Sequence, residues 1–399
     1  MTDGAALRVA IADVAPRGAG WLHAGEHANA DIPFGLCDDL PFVDRAAQEI
    51  AVGAAAHRLT RAALMRLLHE CRRVLQGGGT LQIAAAPSAA ADATLDGLAH
   101  LAGLTRIAPP VAGDMTFAKP LRLARGDPLV TIAIPAYSPR YFGAALDSAI
   151  AQTYANLEIV ICDDSPDEAI DSIVRQRRSL PPIRYQRNPV RLGVRTNYVK
   201  CFELARGEFV KFLCDDDLLA PDCVSAFVDA FRRVPDLTLA TSRRLRIDAS
   251  GARLPDQPAT LPIVDTDTVI AGVTLANAML MAGLNMIGEP STVLFRKADL
   301  DDAASALFNF DGARGHGVID MVMWSVLLAK GDAVYLRQPR SAFRVHAAQR
   351  QHDPAKQERN VASIRELQAA WQILALDRRL PPHLLLTKGY PPTDDEDWV

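Results

Sequence analysis

From Leu129 onward the chain repeats one pattern: a short uninterrupted apolar run, a helical segment, then another such run. The runs are LVTIAI, LEIVIC, IRYQ and EFVKFL, and helices are predicted near 141–152, after Pro166 and near 195–205. A strand with one wet face alternates apolar and polar residues, whereas a strand covered on both faces is apolar throughout. The pattern therefore predicts an α/β fold with a Rossmann-like, mostly parallel sheet and helices on both faces. Ligands of such sheets bind beyond the carboxyl ends of the strands. The chain puts its suggestive residues there: Pro135-Ala136-Tyr137, Asp163-Asp164 and Asp215-Asp216-Asp217. A helix from Pro221 to Arg233 and a strand around Leu237 to Thr241 are expected next. Segment 242–287 shows no clear period and reads as an insertion, after which STVLFR, a helix over 318–329, AVYL and a charged helix near 355–378 follow.

A chain of 399 residues exceeds what one core organises, so two domains are expected. Residues 1–107 read as a smaller α/β unit, 108–128 as a linker, 129–350 as the main domain, and 351–399 as a C-terminal helix and a disordered tail, PPTDDEDWV. A formal charge of −4 lacks the basic excess needed to neutralise a nucleic-acid backbone. The six cysteines form no CxxC pair, which speaks against a zinc site or a disulfide framework. The N-terminus has no signal-peptide pattern, and no apolar stretch is long enough to span a bilayer. The expectation is a cytoplasmic protein without a transmembrane segment, with peripheral membrane association and homo-oligomerisation left open.

Three successive carboxylates at 215–217 repel one another and raise each other's pKa unless something compensates. A divalent ion does so, since Mg²⁺ or Mn²⁺ takes one or two carboxylates together with substrate phosphates. Read alone, the block fits an acidic helix start equally well. Asp163-Asp164-Ser165-Pro166 likewise reads either as a helix cap or as a nucleoside-reading pair, and two acidic strand ends in one sheet favour a site.

VTIAIPAYSPRYFGAALDSAIAQTYANLEIVICDDSPDE and RLGVRTNYVKCFELARGEFVKFLCDDDLLAPD resemble the nucleotide-binding half of inverting family 2 glycosyltransferases of the GT-A fold. The resemblance implies that Pro135 and Tyr137 pack on the base and that Asp164, with Asp163, reads its edge. It places Arg195 on the nucleotide side with Asn197 nearby, Asp215 near the ribose, and Asp216 or Asp217 on the metal. The family often writes its acidic motif D-x-D-D, and Cys214 stands first here. In GVIDMVMWSVLLAKGD, Asp320 is the acid of an apolar helical stretch one turn before Trp324. From pattern alone it suits a helix start, whereas the family's E-D-x-x-x-W segment implies a catalytic base, with Ile319 in the place of the glutamate. SAFRVHAAQ resembles the family's R-x-H segment, which would return Arg344 to the diphosphate and His346 to the metal. Glu289-Pro290-Ser291 is assigned to the acceptor side.

The N-terminal GWLHAGEHANADIPFGLCDDLPFVDRAAQEI and LLHECRRVLQGGGTLQIAAAP resemble S-adenosylmethionine-dependent methyltransferases. ADVAPRGAGW replaces that family's glycine loop and Gly25 its ribose-binding acid, which implies a degenerate domain. Together these resemblances imply metal-dependent transfer of a sugar from a nucleoside diphosphate donor, UDP-linked, to a glycan, lipid-linked or protein acceptor in surface-polysaccharide assembly. The alternatives are a non-catalytic nucleotide-sugar binding module and a bifunctional glycosyltransferase-methyltransferase.

Overall fold

The computed structural model describes residues 7–11, 21–25, 32–33, 40, 45–84, 88–108, 114–120, 123–177, 181–300, 306–347, 349, 354–374 and 385–391. Residues 12–20, all of ADVAPRGAGW but Trp21, and residues 392–399, all of PPTDDEDWV but Pro391, lie outside these residues. The chain divides into two compact units, Met1–Arg122 with Trp371–Arg379, and Leu123–Ala370 with Leu380–Val399.

In the first unit, β1 (Leu7–Ile11), β2 (Trp21–Gly25), β3 (Ile32–Pro33), β4 (Ala47–Val52), α1 (Arg61–Val74), β5 (Leu75–Ile83), α2 (Ala89–Leu101), β6 (Thr105–Ala108) and β7 (Met115–Ala118) follow in order. The sheet runs β3-β2-β1-β4-β5-β7-β6; β7 is antiparallel to both neighbours and the other pairs are parallel. Thr60 caps α1 by accepting from Ala63 N–H, and Met65, Leu68 and Cys71 turn one face of the helix inward. Residues 108–128, expected to be a linker, contain β7. Its two inward side chains, Met115 and Phe117, are too few to show a period in sequence.

The second unit begins with β8 (Val130–Ala136), α3 (Pro139–Ile150), β9 (Leu157–Asp163), α4 (Ala169–Gln176), β10 (Ile183–Arg187), α5 (Val194–Leu204) and β11 (Phe209–Phe212). After these come β12 (Leu218–Leu219), α6 (Cys223–Arg233), β13 (Leu237–Ile247), β14 (Arg253–Leu254), β15 (Thr268–Ile270) and α7 (Gly272–Ala282). The chain closes with β16 (Leu294–Arg296), α8 (Ile319–Lys330), β17 (Asp332–Arg344), α9 (Pro354–Ile373) and β18 (Thr387–Gly389). The sheet order is β10-β9-β8-β11-β16-β13-β17-β15-β18, with β12 on β17 and β14 on β13.

The half from β10 to β11 is parallel, as the apolar runs predicted. The other half is not. β16 runs antiparallel to both β11 and β13, and β15 antiparallel to β17 and β18, so the sheet is mixed rather than mostly parallel. Residue pattern reports which faces of a strand are covered and says nothing of its direction. Segment 242–287 belongs largely to this half: it extends β13 and supplies β14, β15 and α7. The end of the chain likewise adds β18 to the sheet edge.

The apolar runs are buried because helices cover both faces. On α3, Phe142, Ala145, Leu146 and Ala149 face the sheet, the i, i+3, i+4, i+7 stripe of a half-buried helix. Phe209 of β11 packs on Phe231 of α6, ring centroids 4.5 Å apart. Each such side chain contributes about 1.5–3 kcal/mol relative to exposure. Among the described residues no helix is long and apolar enough to cross a membrane.

Asn197 in α5 ties the strand ends together. Its Nδ2 donates to the carbonyls of Cys162 at 3.0 Å and Ala136 at 3.4 Å, and its Oδ1 accepts from Asn188 Nδ2 at 2.9 Å. Replacing Asn197 by Ala takes a partner from three buried groups, of which the Ala136 carbonyl and Asn188 Nδ2 keep a bond to Asp164, and an unpaired buried polar group costs about 1–3 kcal/mol. The urea unfolding midpoint of the second unit should fall by the equivalent of about 1–3 kcal/mol, and an unchanged midpoint would remove Asn197 from the account of how the strand ends are held.

Candidate active site

From β8 the chain adds β9 and β10 on one side and then places β11 on the other. Such a reversal opens a crevice between the carboxyl ends of the two central strands. Asp215 spans it. Its Oδ2 accepts from the backbone N–H groups of Tyr137 and Ser138, each at 2.7 Å, where α3 begins and the helix dipole favours negative charge. Burial pushes this carboxyl up to about 6, against the pull of the two N–H donors.

The other two carboxylates of the turn point elsewhere. Asp217 is 1% exposed; its Oδ2 accepts from Ser291 Oγ at 2.6 Å and its Oδ1 from Arg344 N–H at 3.0 Å. Burial, followed by the neighbouring Asp216 and Glu289 charges, raises its pKa well above the ordinary range. Lys211 of β11, wholly buried, donates to the carbonyl of Ser291 and fixes that serine. Asp216 stays partly open, with Oδ2 3.0 Å from His346 Nε2 and 3.1 Å from Gln349 Nε2. Ligand atoms of Cys214, Asp216 and Asp217 lie within 4.8 Å of one another. Burial and the Asp217 charge drive the Cys214 thiol upward, so it remains protonated. Carboxylate oxygens suit Mn²⁺ or Mg²⁺, and the adjacent carboxylates of the partly open Asp216 and the buried Asp217 are what a cation would relieve. The residues fit a divalent ion, with Asp216 and His346 its best-placed holders and Asp217 behind them.

Beside the turn is a cavity of about 510 Å³ lined by Tyr137, Asp164, Arg187, Asn188, Val190 and Arg191, among others. Asp164 is 4% exposed and gathers the wall: Oδ1 accepts from Leu192 N–H at 2.6 Å and Asn188 Nδ2 at 3.2 Å, Oδ2 from Gly193 N–H at 2.9 Å. The Arg191 guanidinium lies over the exposed Tyr137 ring, 4.7 Å from its centroid. Pro135, in the last turn of β8 before this ring, pairs with Cys162.

Three residues expected to face the donor lie away from the cavity. Asp163 is wholly buried, accepting from Ser165 N–H and Tyr185 hydroxyl; it ends β9, whereas Asp164 lies past the strand and lines the cavity. Arg195 donates to the Phe308 carbonyl at 3.0 Å and covers that ring. Arg344, 4% exposed, spends its guanidinium on the carbonyls of Asp216 and Asp248, so it clamps the acidic turn. Asp320 opens α8. Its Oδ2 accepts from Asn285 Nδ2 at 2.8 Å and its Oδ1 from Met321 N–H. Burial pushes it up to about 6, with the Glu289 charge adding to the rise.

Residues 131–288 match the profile of Glycosyl transferase family 2. This stretch is a family 2 glycosyltransferase domain. It takes in less than half of the chain, and Glu289, Asp320, Arg344 and His346 lie beyond it. Chondroitin synthase of Escherichia coli is 34% identical over 128 residues, 31% of this chain and 18% of that protein. An uncharacterized protein of Mycobacterium tuberculosis is 27% identical over 232 residues, 55% of this chain and 68% of its own length. Among solved structures, S. aureus TarS 1-349 in complex with UDP-GlcNAc aligns over 62% of this chain and 71% of its own at 17% identity, with a TM-score of 0.45. The chain spans under a fifth of the length of the chondroitin synthase.

Several residues around the family 2 domain's crevice gave no signal in sequence. Arg187 ends β10 and Asn188 and Arg191 follow it in a loop without periodicity, which the Asp164 carboxylate, with Asn197 and the Asp163 carbonyl, holds beside Tyr137. Asn285 and Gln349 are ordinary polar residues whose partners lie 35 and 133 positions away, and Ser291, assigned from sequence to the acceptor side, holds Asp217 across 74 positions. Tyr141 is one position inside a helix stripe, yet its ring packs on both Arg344 and His346.

The raised Asp320 pKa carries a stability signature. The folded state holds this proton more tightly than the unfolded chain, whose carboxyl titrates near 3.8, so stability falls as pH rises from about 4 to about 6 and levels off above. Two pKa units correspond to about 3 kcal/mol at most. Denaturant midpoints measured from pH 4 to 8 should show a shallower fall for Asp320→Asn than for wild type, and parallel profiles would contradict the placement of a buried, ionised Asp320 at neutral pH.

Proposed function

We propose that the second unit is a metal-dependent, inverting glycosyltransferase of GT-A architecture. It moves a sugar from a nucleoside diphosphate donor, UDP-linked, to a glycan, lipid-linked or protein acceptor, on the cytoplasmic side and in surface-polysaccharide assembly. The observation that supports it most is the approach of His346 to Asp216 across 130 residues at the switch point of a family 2 domain, beside a cavity of nucleoside size.

In this reading the Tyr137 face and the Asp164 loop take the base, and Asp215 stands at the ribose. Asp216, Asp217 and His346 hold the divalent ion, which when bound offsets charge on the departing diphosphate. Asp320 accepts the proton of the acceptor hydroxyl as that oxygen bonds to the anomeric carbon; the bond to the diphosphate breaks and the nucleoside diphosphate leaves with its electron pair. A single displacement inverts the anomeric centre. A pKa near 6 keeps Asp320 ionised at neutral pH while leaving it basic enough to take a proton. For the first unit, the degenerate methyltransferase-like reading is supported by an open, mainly parallel sheet whose order reverses between β1 and β4.

Calorimetric titration with UDP, GDP and dTDP, each with Mn²⁺ and then with EDTA, tests the donor site. One nucleotide should bind, only with the metal, and Asp216→Ala should abolish it. Binding of none, or binding indifferent to the metal, would sink the reading. Asp320→Asn should lower turnover about 10²–10⁴-fold while leaving that binding intact, and wild-type turnover should fall as pH drops through about 6. A wild type that binds donor without turnover would instead support the binding module.

A further inference from the structure

The short segment from Asn285 to Ser291 joins the two chemical ends of the crevice. Asn285 Nδ2 donates at once to Asp320 Oδ2 at 2.8 Å and to the Gly288 carbonyl at 2.9 Å, and Trp324 Nε1 donates to that same carbonyl at 2.9 Å. Three residues on, Ser291 holds Asp217. Between these anchors sits Glu289. Its main chain is fixed: the carbonyl accepts from Thr292 N–H and Oγ1. Gly288 before it has φ +118°, and a Cβ there would come within 2.6 Å of Thr292 Oγ1. The Glu289 carboxylate is therefore carried on a backbone that has no slack.

One of its oxygens is engaged. Arg244 Nε lies 2.9 Å from Glu289 Oε2, with the arginine side chain 3% exposed and that of Glu289 24%. Arg244 is locked in turn, donating to the carbonyls of Met286 at 3.1 Å and Asn285 at 3.1 Å. A buried, rigid cation thus faces a carboxylate whose side chain keeps about a quarter of its surface exposed. Asn285 ties Asp320 to Gly288, the residue before Glu289, and Ser291 two residues after it holds Asp217, so the carboxylate is carried between the two. A fixed carboxylate beside a general base, accessible and partnered on one side, is suited to accept a hydrogen bond from a hydroxyl.

Building on the transferase reading above, we propose that Glu289 orients the acceptor: it accepts a hydrogen bond from the saccharide hydroxyl adjacent to the one that Asp320 deprotonates. The acceptor class is then a sugar ring carrying vicinal hydroxyls. Two contacts to one ring fix which hydroxyl attacks, so Glu289 governs linkage as well as affinity.

The test measures nucleoside diphosphate release from the donor that calorimetry identifies, against increasing methyl β-glycosides of glucose, N-acetylglucosamine and glucuronic acid, and mono-deoxy forms of whichever accelerates it. In Glu289→Gln the KM for the accelerating glycoside should rise at least about tenfold, the size of one lost charge-assisted hydrogen bond, while the donor Kd stays within about twofold. Deleting the neighbouring hydroxyl should cost wild type a similar factor and cost the variant nothing further. Glu289→Asp keeps the charge opposite Arg244, and with it the fold, but withdraws the carboxylate, so the same KM rise is expected. An unchanged acceptor KM, additive losses from variant and deoxy sugar, or donor Kd weakening in step with KM would overturn the proposal. So would a wild type that binds and turns over donor yet responds to no glycoside. Failure of wild type to bind any nucleotide would instead strike the transferase reading itself.

Discussion

Three adjacent carboxylates cannot share one environment, and the second unit is organised around giving each a different one. Asp215 receives the first N–H groups of α3. Asp217 goes inward to Ser291 and the backbone of Arg344. Asp216 is left at the surface of the crevice with His346. The three neutralisers come from the start of the parallel half of the sheet, from the turn before β16 and from the end of β17. Satisfying the charges therefore fixes how the parallel and antiparallel halves meet, and it leaves one carboxylate, with an imidazole beside it, available to a cation.

The same logic extends to the rim. Asp164 does not stand free: its two oxygens draw in Asn188, Leu192 and Gly193, and this shapes the wall opposite Tyr137. Asp320 is held by Asn285, which also holds Gly288, so the position of the base and the position of the segment bearing Glu289 are set by one amide. A change in either is transmitted to the other without passing through solvent.

Much of this was legible before any coordinates. Continuous apolar runs identified β8, β9 and β11, and reading past their carboxyl ends led to Tyr137, Asp164 and the acidic turn. The spacing of Asp320 to Trp324 located α8, although what Trp324 does, donating to Gly288, had no trace in sequence. Strand direction was lost because residue pattern reports which faces are covered and not which way a strand runs: β13 and β16 are antiparallel neighbours although α7 lies between them in sequence. Arg195 and Arg344 were placed on the donor side by the family resemblance, through the motif ahead of β11 and the R-x-H segment. In the fold each donates to carbonyls, Arg195 to Phe308 and Arg344 to Asp216 and Asp248, an allocation that depends on segments far along the chain. Asp163 was paired with Asp164 by adjacency, but Asp163 ends β9 buried against Tyr185, whereas Asp164 lies past the strand and lines the cavity.

The central claim is that the acidic turn and His346 together hold a divalent ion in the presence of a nucleoside diphosphate. Pulsed electron paramagnetic resonance of Mn²⁺ added with UDP reads this directly, because a coordinated imidazole nitrogen couples to the manganese spin. The account predicts nitrogen coupling that appears only when nucleotide is present and is lost in His346→Ala, with phosphorus coupling from the diphosphate in the same spectrum. Manganese that binds without nucleotide, or with phosphorus but no imidazole coupling, would contradict it.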